Sequence, residues 1–104
     1  MKIEASHHID ASEPDAQGMH EYYYEYDDFC FVEGELTLSA RSYTDTSSEV
    51  SMKCFLEGTE VRQVVANDLR HPLLLRAVDH LRRLGKTKFL YLADQGYVPF
   101  NPEA

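Results

Sequence analysis

From Phe29 to Leu56 apolar side chains recur at every second position, as in Phe29, Phe31, Leu36, Leu38, Ala40 and then Val50, Met52, Cys54, Leu56. A period of two is the signature of extended strands that present one face to a core. Glu33-Gly34 reads as a two-residue hairpin loop. That loop pairs Val32 with Glu35, Phe31 with Leu36 and Phe29 with Leu38. The run TDTSS at 44–48 is a second turn. Beyond it the same face continues if Ala40 meets Met52, Leu38 meets Cys54 and Leu36 meets Leu56. Tyr22, Tyr24 and Tyr26 are out of phase with Phe29 and Phe31. An extra residue at Asp27-Asp28, a β-bulge, restores the phase and predicts all five rings on one side.

This register leaves a second face made of Tyr23, Glu25, Cys30, Val32, Glu35, Arg41, Tyr43, Lys53 and Phe55, with Tyr23 close to Tyr43. Cys54 then points into the core and Cys30 away from it. Opposite faces forbid a disulfide, so two free thiols are expected.

The remainder is punctuated by loop formers. Residues 2–9 alternate weakly and suit an edge strand. Residues 10–18, with Pro14 and Gly18, read as a loop. Thr59 suits a helix N-cap, followed at helical spacing by Val61, Val64, Val65 and Leu69. Pro72 fits the first turn of a second helix, with Leu74, Ala77, Val78, Leu81 and Leu84 as its stripe and Gly85 as its stop. The run 88–93, KFLYLA, is a strand apolar on both faces. Pro99 and Pro102 then limit the tail to extended chain. The expected fold is α+β: an antiparallel three- to five-stranded sheet (meander 19–57 plus strand 88–93) packed on two helices (60–70 and 72–84). A chain of 104 residues suits one domain, 1–104. Within it, segments 1–18 and 97–104 have the composition of flexible chain.

Charge is distributed unevenly. Residues 1–60 carry 14 acidic side chains against 3 basic, whereas 61–104 carry 4 against 7. Between Ile3 and Ala40 stand ten acidic residues and no Lys or Arg. Such a surface repels nucleic acid and anionic membrane and attracts basic partners. The opening MKIEASHHID has no apolar secretory core and two cysteines make no disulfide framework, so a cytoplasmic protein is expected. No stretch approaches a membrane span.

No Gly-rich phosphate loop, nucleophile elbow, H-E-x-x-H or C-x-x-C is present. His7, His8 and His20 match no zinc spacing, and His7 and His8 point to opposite faces of a strand. No metal or cofactor is expected, and binding is expected rather than catalysis. The reading is a small acidic protein that binds a basic protein partner, of inhibitor, immunity or assembly type. The expected contacts are Glu21, Tyr23, Glu25, Glu35, Tyr43 and Phe55. The alternative is a small enzyme or small-molecule binder with a site between sheet and helices near His20, Asp28 and Tyr91. A homodimer through the second face or a free edge strand is compatible with both.

Overall fold

Gly34 takes φ +62°, and the chain reverses over Gly34-Glu35, one residue later than the Glu33-Gly34 loop expected. In a two-residue hairpin the first central position needs such a positive φ, which glycine adopts without a Cβ clash. Phe31 therefore faces Leu38 and Phe29 faces Ala40. The shift is by two positions, so the faces are kept.

The computed structural model describes residues 1–102. Its strands are β1 (Lys2–Ala11), β2 (Tyr23–Glu33), β3 (Leu36–Tyr43), β4 (Glu49–Glu57), β5 (Glu60–Gln63), β6 (Lys88–Ala93) and β7 (Gly96–Phe100). They form a single mixed sheet ordered β1-β2-β3-β4-β6-β7, with β5 also on β4. One α-helix, α1 (Pro72–Arg83), and two 3₁₀ turns at Thr44–Thr46 and Ala66–Asp68 complete the described chain.

The expected two-helix, antiparallel arrangement is corrected in two respects. Residues 60–70 are not helical: Gly58 at φ +60° closes a second tight hairpin, and Glu60–Gln63 pair with Cys54–Glu57. The valines that mimic a helical stripe are β-branched, which favours the pleated strand. Past β5, Asp68 anchors the chain by accepting from the Val65 amide at 2.9 Å and from both terminal nitrogens of Arg62 at 2.7 and 2.8 Å. The second correction concerns β6, which runs parallel to β4 over Glu49–Met52. Helix α1 lies in the connection between them, and a crossover of that length returns the chain in the same direction.

The β-bulge also falls elsewhere. β1 and β2 pair without interruption from Lys2↔Val32 to Ala11↔Tyr23, so no bulge exists at Asp27-Asp28. Tyr22, Tyr24 and Tyr26 consequently share a face with Asp28 and Cys30, opposite Phe29 and Phe31. The irregularity sits in β4: Ser39 pairs with Cys54 and Ala40 with Met52, leaving Lys53 as the extra residue. The phase flips there. Phe55 enters the core at 1% exposure, while Cys54 and Leu56 turn to the other side.

Helix α1 covers one face only. Leu73, Leu74, Ala77, Val78 and Leu81 pack on Phe29, Phe31, Leu38, Ala40, Val50, Met52, Phe55, Val64 and Phe89. Pro72 opens the helix, and the His71 ring accepts from the Leu73 amide at 3.1 Å as its N-cap. The helix ends in a Schellman motif, with the Lys86 amide on the Leu81 carbonyl, the Gly85 amide on that of Arg82, and Gly85 at φ +92°. Leu84, expected in the apolar stripe, is exposed. β7 pairs antiparallel with β6 as the next strand of the sheet, and Phe100 joins the helix-side core. Nothing among the described residues lies over the other face of the sheet. Residues 103 and 104, at the end of the 97–104 tail, fall outside the described residues. No described helix is long and apolar enough to cross a membrane.

Candidate functional site

The β1–β2 hairpin outreaches the rest of the sheet. β3 ends at Tyr43, opposite Tyr26, so Tyr23 to Glu25 have β1 as their only strand partner. The molecule is accordingly elongated, 49 × 29 × 29 Å. Residues 9–25 form a projecting arm, and five large hydrophobics on it are exposed: Ile9, Met19, Tyr22, Tyr23 and Tyr24. Core burial cannot explain these side chains, which remain about half or more exposed even where rings touch one another.

The arm's tip is held by polar side chains. The Asp15 carboxylate accepts from the Gln17 and Met19 amides, both at 2.9 Å, and these donors hold it below the usual carboxylate range. The Ser12 hydroxyl accepts from the Glu21 amide at 2.7 Å and the Tyr22 amide at 3.2 Å. Gly18 at φ +79° completes the reversal.

The open face carries a run of rings. Tyr22 lies 6.1 Å from Tyr24, Tyr24 6.2 Å from Tyr43, Tyr43 5.6 Å from Tyr26, and Tyr26 5.4 Å from His8. These centroid spacings are those of mutually attractive aromatic pairs. The Arg41 guanidinium sits 4.0 Å over the Tyr26 ring and donates to both Asp28 carboxylate oxygens at 2.8 and 3.2 Å. That pairing consumes the one Arg in this part of the sheet and raises its pKa.

On the helix-side face of the arm, beyond the reach of α1, His7 lies between two carboxylates. Its Nδ1 is 2.6 Å from Asp27 and its Nε2 2.8 Å from Glu25. Hydrogen bonds to Asp27 and then Glu25 raise the imidazole pKa above its usual 6.5. With a carboxylate at each ring nitrogen, the arrangement favours the protonated imidazole. No group of three or more His, Cys, Asp or Glu among the described residues is arranged to hold a metal ion.

Where the arm leaves the sheet there is a notch of about 200 Å³ lined by Tyr23, Tyr24, Glu25, Tyr43, Thr44 and Asp45. The Tyr24 and Tyr43 rings, 6.2 Å apart, border it with Asp45. The Tyr23 and Glu25 side chains belong to the helix-side face, where the Glu25 carboxylate is 2.8 Å from His7 and accepts from the Tyr23 hydroxyl at 3.3 Å. Desolvation, and then the negative charge of Glu25, push the Tyr23 phenol up, so it stays neutral.

The expected contact residues separate accordingly. Glu21, Tyr23, Glu25 and Tyr43 gather at the arm and its root. Tyr23 points to the helix-side face and Tyr43 to the open one, so Tyr24 rather than Tyr23 is the ring that packs on Tyr43. Glu35 occupies the opposite end of the sheet, in the β2–β3 turn, about 35 Å along β2 from the arm. Phe55 is in the core, as a result of the Lys53 bulge. Tyr22, Tyr24, Tyr26, His7 and Asp45 were missed. The Tyr-rich acidic run was visible, but its facing depends on an uninterrupted β1–β2 register.

His20, Asp28 and Tyr91, the polar candidates for a site between sheet and helices, lie apart. His20 bonds the Ser12 carbonyl oxygen at the tip, Asp28 holds Arg41 on the open face, and Tyr91 packs on Phe100. A separate cavity of about 310 Å³ lies at the fork where β5 and β6 diverge from β4, lined by Met52, Lys53, Cys54, Val61, Gln63, Leu92 and Tyr97. Gln63 spans the fork by donating to the Leu92 carbonyl at 2.9 Å, and Lys53 bonds the Tyr97 hydroxyl. Cys30 and Cys54 both lie on the open face, on either side of Ser39, not on opposite faces as expected. Two strand spacings, about 10 Å, keep them from bridging, and both thiols are free. Burial, and then Glu4 and Asp28, push the Cys30 thiol up, away from reactive thiolate. Comparison with protein families, curated proteins and solved structures finds no match for this chain.

Proposed function

We propose that this protein is a non-catalytic binding module whose arm docks a lysine- or arginine-rich polypeptide. The observation that carries this reading is the notch at the arm's root, where the Tyr24 and Tyr43 rings, in edge contact, border a recess together with Asp45. Its size and lining suit one long cationic side chain: an aliphatic stem against phenol faces and a charged head at Asp45. Cation–π contact contributes about 0.5–2 kcal/mol, depending on how far the site is desolvated. The exposed rings Tyr22 and Tyr24 supply contact area with little rotamer entropy to lose, as interface tyrosines do. The surrounding sequence, free of Lys and Arg from Ile3 to Ala40, lends a negative field that speeds encounter with a basic surface.

The test is fluorescence anisotropy with labelled Lys/Arg-rich, neutral and acidic peptides. Only the basic peptides are expected to bind, more weakly as salt rises. Tyr24→Ala combined with Asp45→Asn, neither of which touches the His7 clamp, is expected to weaken binding at least about tenfold. Equal binding of the acidic peptide, or unchanged affinity in the double variant, would refute the reading.

A further inference from the structure

The free edge of β1 is self-complementary, and we propose that two copies of this chain pair through it as an antiparallel dimer with its two-fold axis at Ser6. This is independent of the basic-partner reading and concerns a different surface. Among the described residues three strands, β1, β5 and β7, have an edge without a strand neighbour. β5 is four residues long, and β7 carries Pro99, which has no N–H to donate. β1 offers ten residues with no proline and no bulge.

The outward-pointing groups can be assigned. The Ser12 amide donates to the Tyr22 carbonyl at 3.0 Å, so the Ser12↔Tyr22 pair is of the hydrogen-bonded kind. By alternation along an unbroken ladder, the even residues of β1 bond to β2. The amides and carbonyls of Ile3, Ala5, His7, Ile9 and Ala11 face outward. The Glu25 carbonyl confirms the phase on β2, since it accepts from Thr44 on the β3 side.

Two adjacent antiparallel strands related by a two-fold axis need that axis perpendicular to the sheet. Each face then continues into the same face of the second copy, and paired residue numbers have an even sum. Three such registers centre near the middle of β1. Centring on Ala5 sets Ile3 against His7, and centring on His7 sets Glu4 against Asp10. Centring on Ser6 sets Lys2 against Asp10, Ile3 against Ile9, Glu4 against His8 and Ala5 against His7, each pair occurring twice. Only this last register sets Lys2 against Asp10 on the open face and Ile3 against Ile9 on the helix side. It also gives Ile9, 59% exposed in the single chain, an isoleucine neighbour.

Sedimentation velocity of the full chain from about 1 to 200 µM tests the proposal. A species of twice the 12.0 kDa chain mass is expected. Lys2→Glu or Asp10→Lys alone sets like charges opposite each other and is expected to weaken the dimer about tenfold, while the two together restore it. Circular dichroism checks that each variant is folded. A wild type that stays monomeric throughout, or charge reversals without effect, would overturn the proposal. Failure of the double variant to rescue would overturn the Ser6 register.

Discussion

Replacing Phe55 by alanine measures the Lys53 bulge directly, because the bulge alone decides whether Phe55 or Cys54 is inside. The Phe55 ring is 1% exposed, 5.1 Å from the His71 ring and capped by the Arg62 guanidinium at 4.8 Å. Truncating a buried phenylalanine costs about 3–5 kcal/mol, through lost transfer energy and the cavity left behind. With an m-value of about 1.5 kcal/mol/M in urea, the midpoint falls by about 2–3 M. Cys54 lies on the open face with its thiol 3.0 Å from the Ser39 hydroxyl. Cys54→Ala therefore costs at most about 1 kcal/mol, the net worth of one weak hydrogen bond. Equilibrium urea unfolding followed by circular dichroism gives both numbers. Phe55→Leu, which retains most of the volume, is expected at about 1–1.5 kcal/mol and keeps the comparison readable if the alanine variant is largely unfolded. A Cys54→Ala loss equal to or larger than the Phe55→Ala loss would mean that the strand runs in phase through Lys53 and that the register is wrong.

Asp68→Asn removes the anionic partner of Arg62, and a loss of about 1–3 kcal/mol in urea unfolding is expected. Arg62 first, then the Val65 amide among its partners, lowers the Asp68 pKa, so its contribution is complete above the unfolded value near 3.8 and disappears as pH falls through the folded one. The His7 imidazole, followed by NMR titration, is expected to titrate above 6.5 and to move back toward that value in Asp27→Asn. Because its folded pKa is raised, its stabilisation of the arm is full below pH 6.5 and fades as pH rises through the folded pKa, readable as faster amide exchange in residues 5–9 and 23–27 after correction for intrinsic rates. Gly85→Ala forces a Cβ into φ +92° and is expected to cost about 1 kcal/mol or more in thermal unfolding.

The central meander was legible because period-two alternation holds over Phe29–Ala40, and the loop's displacement by one residue shifts the pairing by two, which leaves every face unchanged. The Lys53 bulge was not legible. Val50, Met52, Cys54 and Leu56 keep perfect apolar parity across it, and only the bulk of Phe55 hinted that the alternate position was the buried one. At 60–70 the spacing of Val61, Val64, Val65 and Leu69 satisfies a helix, but Gly58-Thr59 is also a two-residue hairpin loop, and the β-branched residues follow the hairpin. Pro99 and Pro102 point to extended chain after a turn, and Gly96–Phe100 is an edge strand, which tolerates proline where no ladder bond is needed. At the site, the acidic tyrosine cluster could be read in composition. Which ring meets which was set by where β3 stops, a property of pairing rather than of local sequence.

Pro99 on the outer edge of β7 has a bearing on solubility. A sheet with two open edges can propagate copy after copy into a fibre, head joined to tail. If two β1 margins pair as proposed, the edges left over are the four-residue β5 and β7, where Pro99 removes an outward donor, so further accretion of strands is disfavoured. On that pairing, a chain with 104 residues and so much exposed tyrosine would be spared the open-ended stacking its composition invites. Exchanging that single proline for a residue with an amide hydrogen lifts the restriction.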